Sequence, residues 1–172
     1  MFNKVTIFGC CGSGKTTFAR AVSEITNLPL ISLDLLNWHG SWNRVSNKEF
    51  DTRLKEELEK DFWIIEGLYA RSLDLRIDYC DTLIYIDIPS YQCLANVLKR
   101  TVYNWGTSRD GMPSGCHEKI DLKFWHCTWN YDRVARPNYL KMLSCVKNKN
   151  VIILSSYEEC NRFLYNLRAQ YM

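Results

Sequence analysis

No apolar run in this sequence approaches the roughly 18 residues that a membrane-crossing helix needs. Met1-Phe2-Asn3-Lys4 also opens directly into a strand with no signal-peptide apolar region. Together these absences lead us to expect a soluble, cytoplasmic protein with no membrane partner. One-sided charge is missing too. A net charge of +3 and a pI near 8.4 fall short of the pI above about 9 expected of a nucleic-acid binder. No helix-turn-helix, RNP segment or basic stripe is present either, so nucleic acid is not the expected partner and small anions are. No internal repeat, low-complexity tract or linker divides the 172 residues. A single domain over 1–172 is therefore expected, long enough to bury a sizeable core without a disulfide or metal.

Cysteine is plentiful at eight, yet no pair has the C-x₂₋₄-C spacing that brings two ligands to one tetrahedral ion. Cys116-His117 and His126-Cys127 come nearest to a zinc set. Cys80, Cys93, Cys145 and Cys160 fall within or beside apolar segments, where free cysteine packs as a small hydrophobe. Reduced thiols are the expectation.

What the chain does carry is Gly9-Cys10-Cys11-Gly12-Ser13-Gly14-Lys15-Thr16-Thr17. It follows the apolar run Val5-Thr6-Ile7-Phe8 and leads into helical spacing from Phe18 to Val22. Strand, G-x-x-x-x-G-K-[ST], helix is the order of a P-loop. Its glycines let the backbone wrap phosphate oxygens so that successive N–H groups point inward at the positive end of a helix. Lys15 then reaches the β and γ phosphates, and the Thr16 hydroxyl is placed to ligand Mg²⁺. ATP and Mg²⁺ are the cofactors this implies.

Four further apolar runs read as strands: Leu30-Ile31-Ser32-Leu33, Phe62-Trp63-Ile64-Ile65, Thr82 to Ile88 and Val151-Ile152-Ile153-Leu154. Helical segments separate them, one opened by a Ser46-to-Glu49 capping box with Val45 and Phe50 as its staple, another capped by Ser90, the last by Ser156. Residues 104–118 have loop composition and form an expected lid insertion. Asp121 to Arg136 returns to helical spacing before Pro137 kinks or ends it. Strands alternating with helices imply an α/β P-loop NTPase fold, a five-stranded parallel sheet with helices on both faces.

Ligands of such a sheet bind beyond the carboxyl ends of its strands. Asp34, Glu66 and Asp87 stand at three of those ends, with the P-loop at a fourth. Glu66 or Asp87 would serve the metal beside Thr16. Asp34, followed by Trp38 and Trp42, is placed to meet an acceptor hydroxyl. Arg100, Arg109, Arg133 and Arg136 flank the glycine-containing loop and would surround a transferring phosphoryl group. Catalytic candidates are therefore Lys15, Asp34, Arg100, Arg109 and Arg136.

These features resemble the nucleoside monophosphate kinase group of P-loop proteins. More narrowly, they are similar to the adenylate-kinase-like proteins of the DNA topology modulation (FlaR) family. The resemblance rests on Gly9 to Thr16, Leu33-Asp34 with Trp38 and Trp42, Trp63 to Gly67 with Arg71 and Arg76, Asp81 to Pro89, and Arg100 with Arg109-Asp110. It implies a core with a LID, ATP on the P-loop, and a small-molecule acceptor near Asp34, Trp38, Arg71 and Arg76. Adenylate kinases carry Asp-Gly-Phe-Pro-Arg where this chain has Glu66-Gly67-Leu68-Tyr69-Ala70-Arg71, and their Arg-x-Asp-Asp lid pattern is absent. Both a hydroxyl and a phosphate acceptor stay open. The family name also admits a nucleotide-dependent regulatory or DNA-associated protein without a dedicated acceptor.

Overall fold

The computed structural model describes residues 2–107 and 115–171. Arg109 and its neighbours in the expected lid lie outside them. Strand β1 (Lys4–Gly9) is buried from Val5 onward, and helix α1 (Lys15–Thr26) follows the P-loop. Asn27 closes α1 in a left-handed conformation, two residues before Pro29, a usual way to satisfy and stop a helix end. Next come β2 (Leu30–Ser32), the short α2 (Leu33–Asn37) and a small hairpin of β3 (Trp38–His39) and β4 (Asn43–Arg44). Helix α3 (Asn47–Leu58) begins as its cap dictates, with Ser46 Oγ accepting from the Glu49 amide at 3.1 Å. The chain continues through β5 (Trp63–Glu66), a 3₁₀ turn (Ala70–Ser72), α4 (Leu73–Tyr79), β6 (Thr82–Ile86) and α5 (Ser90–Tyr103). The remainder is α6 (Leu122–Trp129), α7 (Tyr131–Val134), α8 (Arg136–Cys145), β7 (Asn150–Leu154) and α9 (Tyr157–Tyr171).

The main sheet runs β2-β5-β1-β6-β7 with every pairing parallel. Alternation along its strands assigns the two faces. Val5, Ile7, Ile64, Ile84 and Ile86 pack with Phe18, Ala19 and Val22 of α1 and with Cys160 and Leu167 of α9. The alternate residues Phe8, Trp63, Ile65, Leu83 and Tyr85 pack with Phe50, Leu54 and Leu58 of α3, Leu73 of α4 and Leu143 of α8. This is the α/β P-loop arrangement with helices on both faces.

The differences from the sequence expectation are local and have local causes. Leu33 leaves β2 to start a helix, and the aromatic stretch after it folds back as the β3-β4 hairpin. Ser90 starts α5 without capping it, its N–H donating instead to Asp132 Oδ2 at 2.9 Å. The helical stretch of Asp121 to Arg136 is divided, and Pro137 sits in the first turn of α8, where its missing N–H costs nothing. All eight cysteines are free, and Cys145 is exposed while Cys80, Cys93 and Cys160 are buried. Among the described residues no helix is long and apolar enough to cross a membrane.

Candidate active site

Because β1 lies between β5 and β6, its carboxyl end opens at the switch in strand order where such sheets bind ligands. The P-loop turns there through Gly12 and Gly14, both in the left-handed region at φ 83° and 86°. A Cβ on Gly12 would stand 2.3 Å from the Cys93 carbonyl oxygen, so only glycine lets the loop seat against α5. Asn96 of α5 holds the loop from outside, its amide donating to the Gly12 carbonyl at 3.0 Å and to the Tyr157 hydroxyl at 2.7 Å. Beneath the loop, Cys10 is buried, and a hydrogen bond to Cys93 together with burial pushes its thiol well above the ordinary range. It packs as core and is inert as a nucleophile. Ser13 Oγ is buried with no hydrogen-bond partner among the described residues, an unmet polar group inside the phosphate cradle.

Glu66 is the next element outward. Strand register sets it between Ile7 of β1 and Ser32 of β2. Its carboxylate accepts from Ser32 Oγ at 2.6 Å and from Thr16 Oγ1 at 3.2 Å, and the residue is only 2% exposed. A buried carboxylate against the P-loop threonine is hard oxygen chemistry. No cluster of three or more acidic, histidine or cysteine ligands exists among the described residues. The oxygens of Glu66 and Thr16 fit an ion bound by one carboxylate with phosphate and water, as Mg²⁺ is.

Asp34 lies in the first turn of α2, and the Tyr69 hydroxyl donates to its Oδ1 at 2.8 Å. Burial, with the Asp34 charge and hydrogen bond behind it, drives the Tyr69 phenol far above its ordinary value, so Tyr69 stays a donor. Lys15, Thr16, Thr17, Asp34, Trp38 and Glu66 share one cavity of about 1080 Å³. Its rim is tied across the top. Trp42 Nε1 donates to the His117 carbonyl at 2.9 Å, its amide donates to Cys116 Sγ at 3.3 Å, and Lys119 Nζ sits 5.6 Å from its ring. Arg100 Nε meets Glu118 Oε1 at 2.8 Å on the same rim.

Gly9, Cys10 and Ser13 of the P-loop do not themselves line the cavity, and neither do four expected site residues from beyond that loop, Arg71, Arg76, Asp87 and Arg136. Arg71 is half-exposed and pairs with Asp51 at 2.8 Å, a bond that raises its pKa. Arg76 is fully buried in α4, and burial pulls it down to about 10, so it is still charged at neutral pH. Its guanidinium donates to the carbonyls of Gly67, Leu68, Tyr69 and Ser72. Arg136 grips both oxygens of Asp87, at 2.6 and 2.7 Å, and neither residue is among those that line the cavity. In each case the charge that the sequence offered to a ligand meets a protein partner in the structure. Cys116 Sγ accepts from the Trp42 amide, while at His117 it is the backbone carbonyl that Trp42 engages.

Sequence reasoning passed over Ser32, Tyr69, Asn96 and Lys119, which all line the cavity. Ser32 was findable only through register, because its use depends on β2 pairing with β5. Tyr69 stands in the Gly67-Leu68-Tyr69 step already marked for departing from the adenylate kinase pattern, and that departure was its signal.

No family model matches the chain, and no curated protein does. Solved structures do. A shikimate kinase from Acinetobacter baumannii in complex with shikimate aligns with a TM-score of 0.61 at 13% identity, over 97% of this chain and 91% of that one. A shikimate kinase from Bacteroides thetaiotaomicron aligns at 0.58 and 14% identity, over 99% and 98%. An unliganded sugar kinase from Janibacter aligns at 0.51 and 15% identity, over 99% and 92%. At such identities the likeness establishes the fold, which is that of P-loop kinases.

Proposed function

We propose that this protein is an ATP-dependent phosphotransferase whose acceptor is a hydroxyl on a small molecule. The observation that carries this reading is the shared cavity, with Asp34 facing the same space as Lys15 and Thr16. The two arginines expected to clamp an acceptor phosphate, Arg71 and Arg76, are held by Asp51 and by backbone carbonyls, which favours the hydroxyl over the phosphate acceptor. The fold neighbours named for shikimate and sugar kinases support the same choice, since shikimate and sugars both present hydroxyls.

Phosphoryl transfer passes through a loose transition state, so the protein's work is positioning and charge stabilisation. Lys15 and the P-loop amides would hold the β and γ phosphates of ATP, with Gly9, Cys11, Gly12, Ser13, Gly14 and Thr17 forming the cradle. Bound Mg²⁺, held by Thr16 and by Glu66 directly or through water, would neutralise charge on the phosphates. Asp34 would accept the hydroxyl proton as the new P–O bond forms, and Trp38 would wall the acceptor beside it. Arg100, braced by Glu118, would bring a cation from the rim. Residues 104–118 would serve as a lid within the single domain, a reading supported by Asn104 and Glu118 both lining the cavity.

The test is a coupled assay with Mg-ATP against sugars, hydroxy acids, nucleosides and nucleoside monophosphates. Hydroxyl-stimulated turnover is expected, with Asp34→Asn lowering kcat by about 10²- to 10⁴-fold, as loss of a general base does, and leaving ATP affinity in place. Stimulation by monophosphates alone, or a full kcat in Asp34→Asn, would overturn it. Acceptor-independent hydrolysis coupled to salt-sensitive DNA binding would turn the reading to a regulatory protein.

A further inference from the structure

One segment beside the acceptor position is built with more care than lining a cavity requires. Gly67, Leu68 and Tyr69 join β5 to the 3₁₀ turn, and all three line the cavity. Gly67 stands at φ 137°, with Leu33 Cβ 2.9 Å from where its own Cβ would be. Tyr69 stands at φ 22° and ψ 70°, a backbone conformation that an aromatic residue adopts only when its surroundings over-determine it. The surroundings here can be named. The Tyr69 carbonyl accepts from the Ser72 amide, from Ser72 Oγ and from Arg76 Nη2, while the ring stacks on Phe50 with centroids 5.5 Å apart. Arg76 also binds the carbonyls of Gly67 and Leu68 at 3.0 and 2.9 Å. A fully buried guanidinium thus donates through Nη1 and Nη2 to three consecutive carbonyls of one loop, whose last side chain ends on Asp34 at 2.8 Å.

We infer that Tyr69 is a positioning residue for phosphoryl transfer, aiming the Asp34 carboxylate at the acceptor hydroxyl, and that Arg76 acts one step behind it by shaping the Gly67-to-Tyr69 loop. This rests on the proposed function, because it gives Asp34 work to do. The outlier conformation sits where strain has a use, and a carboxylate oriented by a hydroxyl on a rigid loop loses little order when the acceptor arrives.

The experiment uses the full chain with Mg-ATP, taking water as one acceptor and the hydroxyl panel as the others. Tyr69→Phe keeps the ring on Phe50 and removes only the donor. It is expected to lower kcat about 10- to 100-fold, the loss of one hydrogen bond to a charged group, with the calorimetric affinity for Mg-ATP and the acceptor KM within about twofold. In an Asp34→Asn background the same change should cost nothing further, since its effect passes through Asp34. Arg76→Lys should reproduce the kcat loss in part. Should that variant not fold, Tyr69→Phe alone carries the test. Full kcat in Tyr69→Phe, or a loss that adds to that of Asp34→Asn, would overturn the inference while leaving the proposed function standing. A parent protein with no transfer to any hydroxyl, or one indifferent to Asp34→Asn, would remove both.

Discussion

Arg136 offers the sharpest separation of structural from chemical work. Read from the sequence it belongs to the phosphoryl group. In the structure it forks onto Asp87, Nε to Oδ1 at 2.6 Å and Nη2 to Oδ2 at 2.7 Å, the geometry of the stronger charge-assisted pairs. The Asp87 side chain is 3% exposed and that of Arg136 is 40% exposed. Arg136→Ala would therefore strand a buried carboxylate, for which a broken buried pair costs about 3–5 kcal/mol. The open flank of the guanidinium lets solvent screen part of the interaction, which brings our expectation to about 2–3 kcal/mol. At roughly 2–4 °C per kcal/mol for a chain of this size, Tm should fall by about 4–12 °C. Urea denaturation of the parent, Arg136→Ala, Asp87→Asn and the double variant measures the coupling directly, and we expect about 2 kcal/mol. The transfer rate at a temperature where all four are folded should stay within about threefold, less than 1 kcal/mol of barrier. An Arg136→Ala protein as stable as the parent but slowed 100-fold would refute this reasoning and return the arginine to the chemistry.

Two further outcomes bear on the ATP end of the cavity. Lys15→Ala should weaken Mg-ATP binding by roughly 10- to 100-fold or more in calorimetry, the cost of removing a charged donor from phosphate oxygens; parent-like affinity would end the P-loop assignment. Glu66→Gln keeps the hydrogen bonds' shape but removes the charge beside Thr16, so the Mg²⁺ concentration for half-maximal turnover should rise roughly tenfold, and an unchanged requirement would take Glu66 away from the ion.

The five strands of the parallel sheet were legible because each is a short apolar run between breakers, unlike the β3-β4 hairpin, and the P-loop because its geometry is encoded by consecutive residues. Phe18, Ala19 and Val22 showed the buried side of α1 through spacing alone. What lay beyond reach depends on pairings distant in the chain. Asp87 and Arg136 are 49 residues apart and Ser32 and Glu66 are 34 apart, and neither pairing follows until the strand order is known. Sequence offers a cation's charge but not its nearest acceptor, so every arginine near a phosphate-binding motif looks available. Arg76 shows why that inference fails for a general reason. Its acceptors are main-chain carbonyls, which every residue possesses and no composition reveals. Its burial follows from a loop that turns back over α4, so that its charge serves the shape of the site and not its ligand. The Tyr69 conformation was hidden for the same reason, since a positive φ at an aromatic residue is imposed by those carbonyl bonds and has no local signal. A site of this kind is therefore best read from sequence through its P-loop glycines, and from structure through its charged side chains, whose partners decide what they are for, as Asp87 shows for a strand-end carboxylate and Arg76 for a cation.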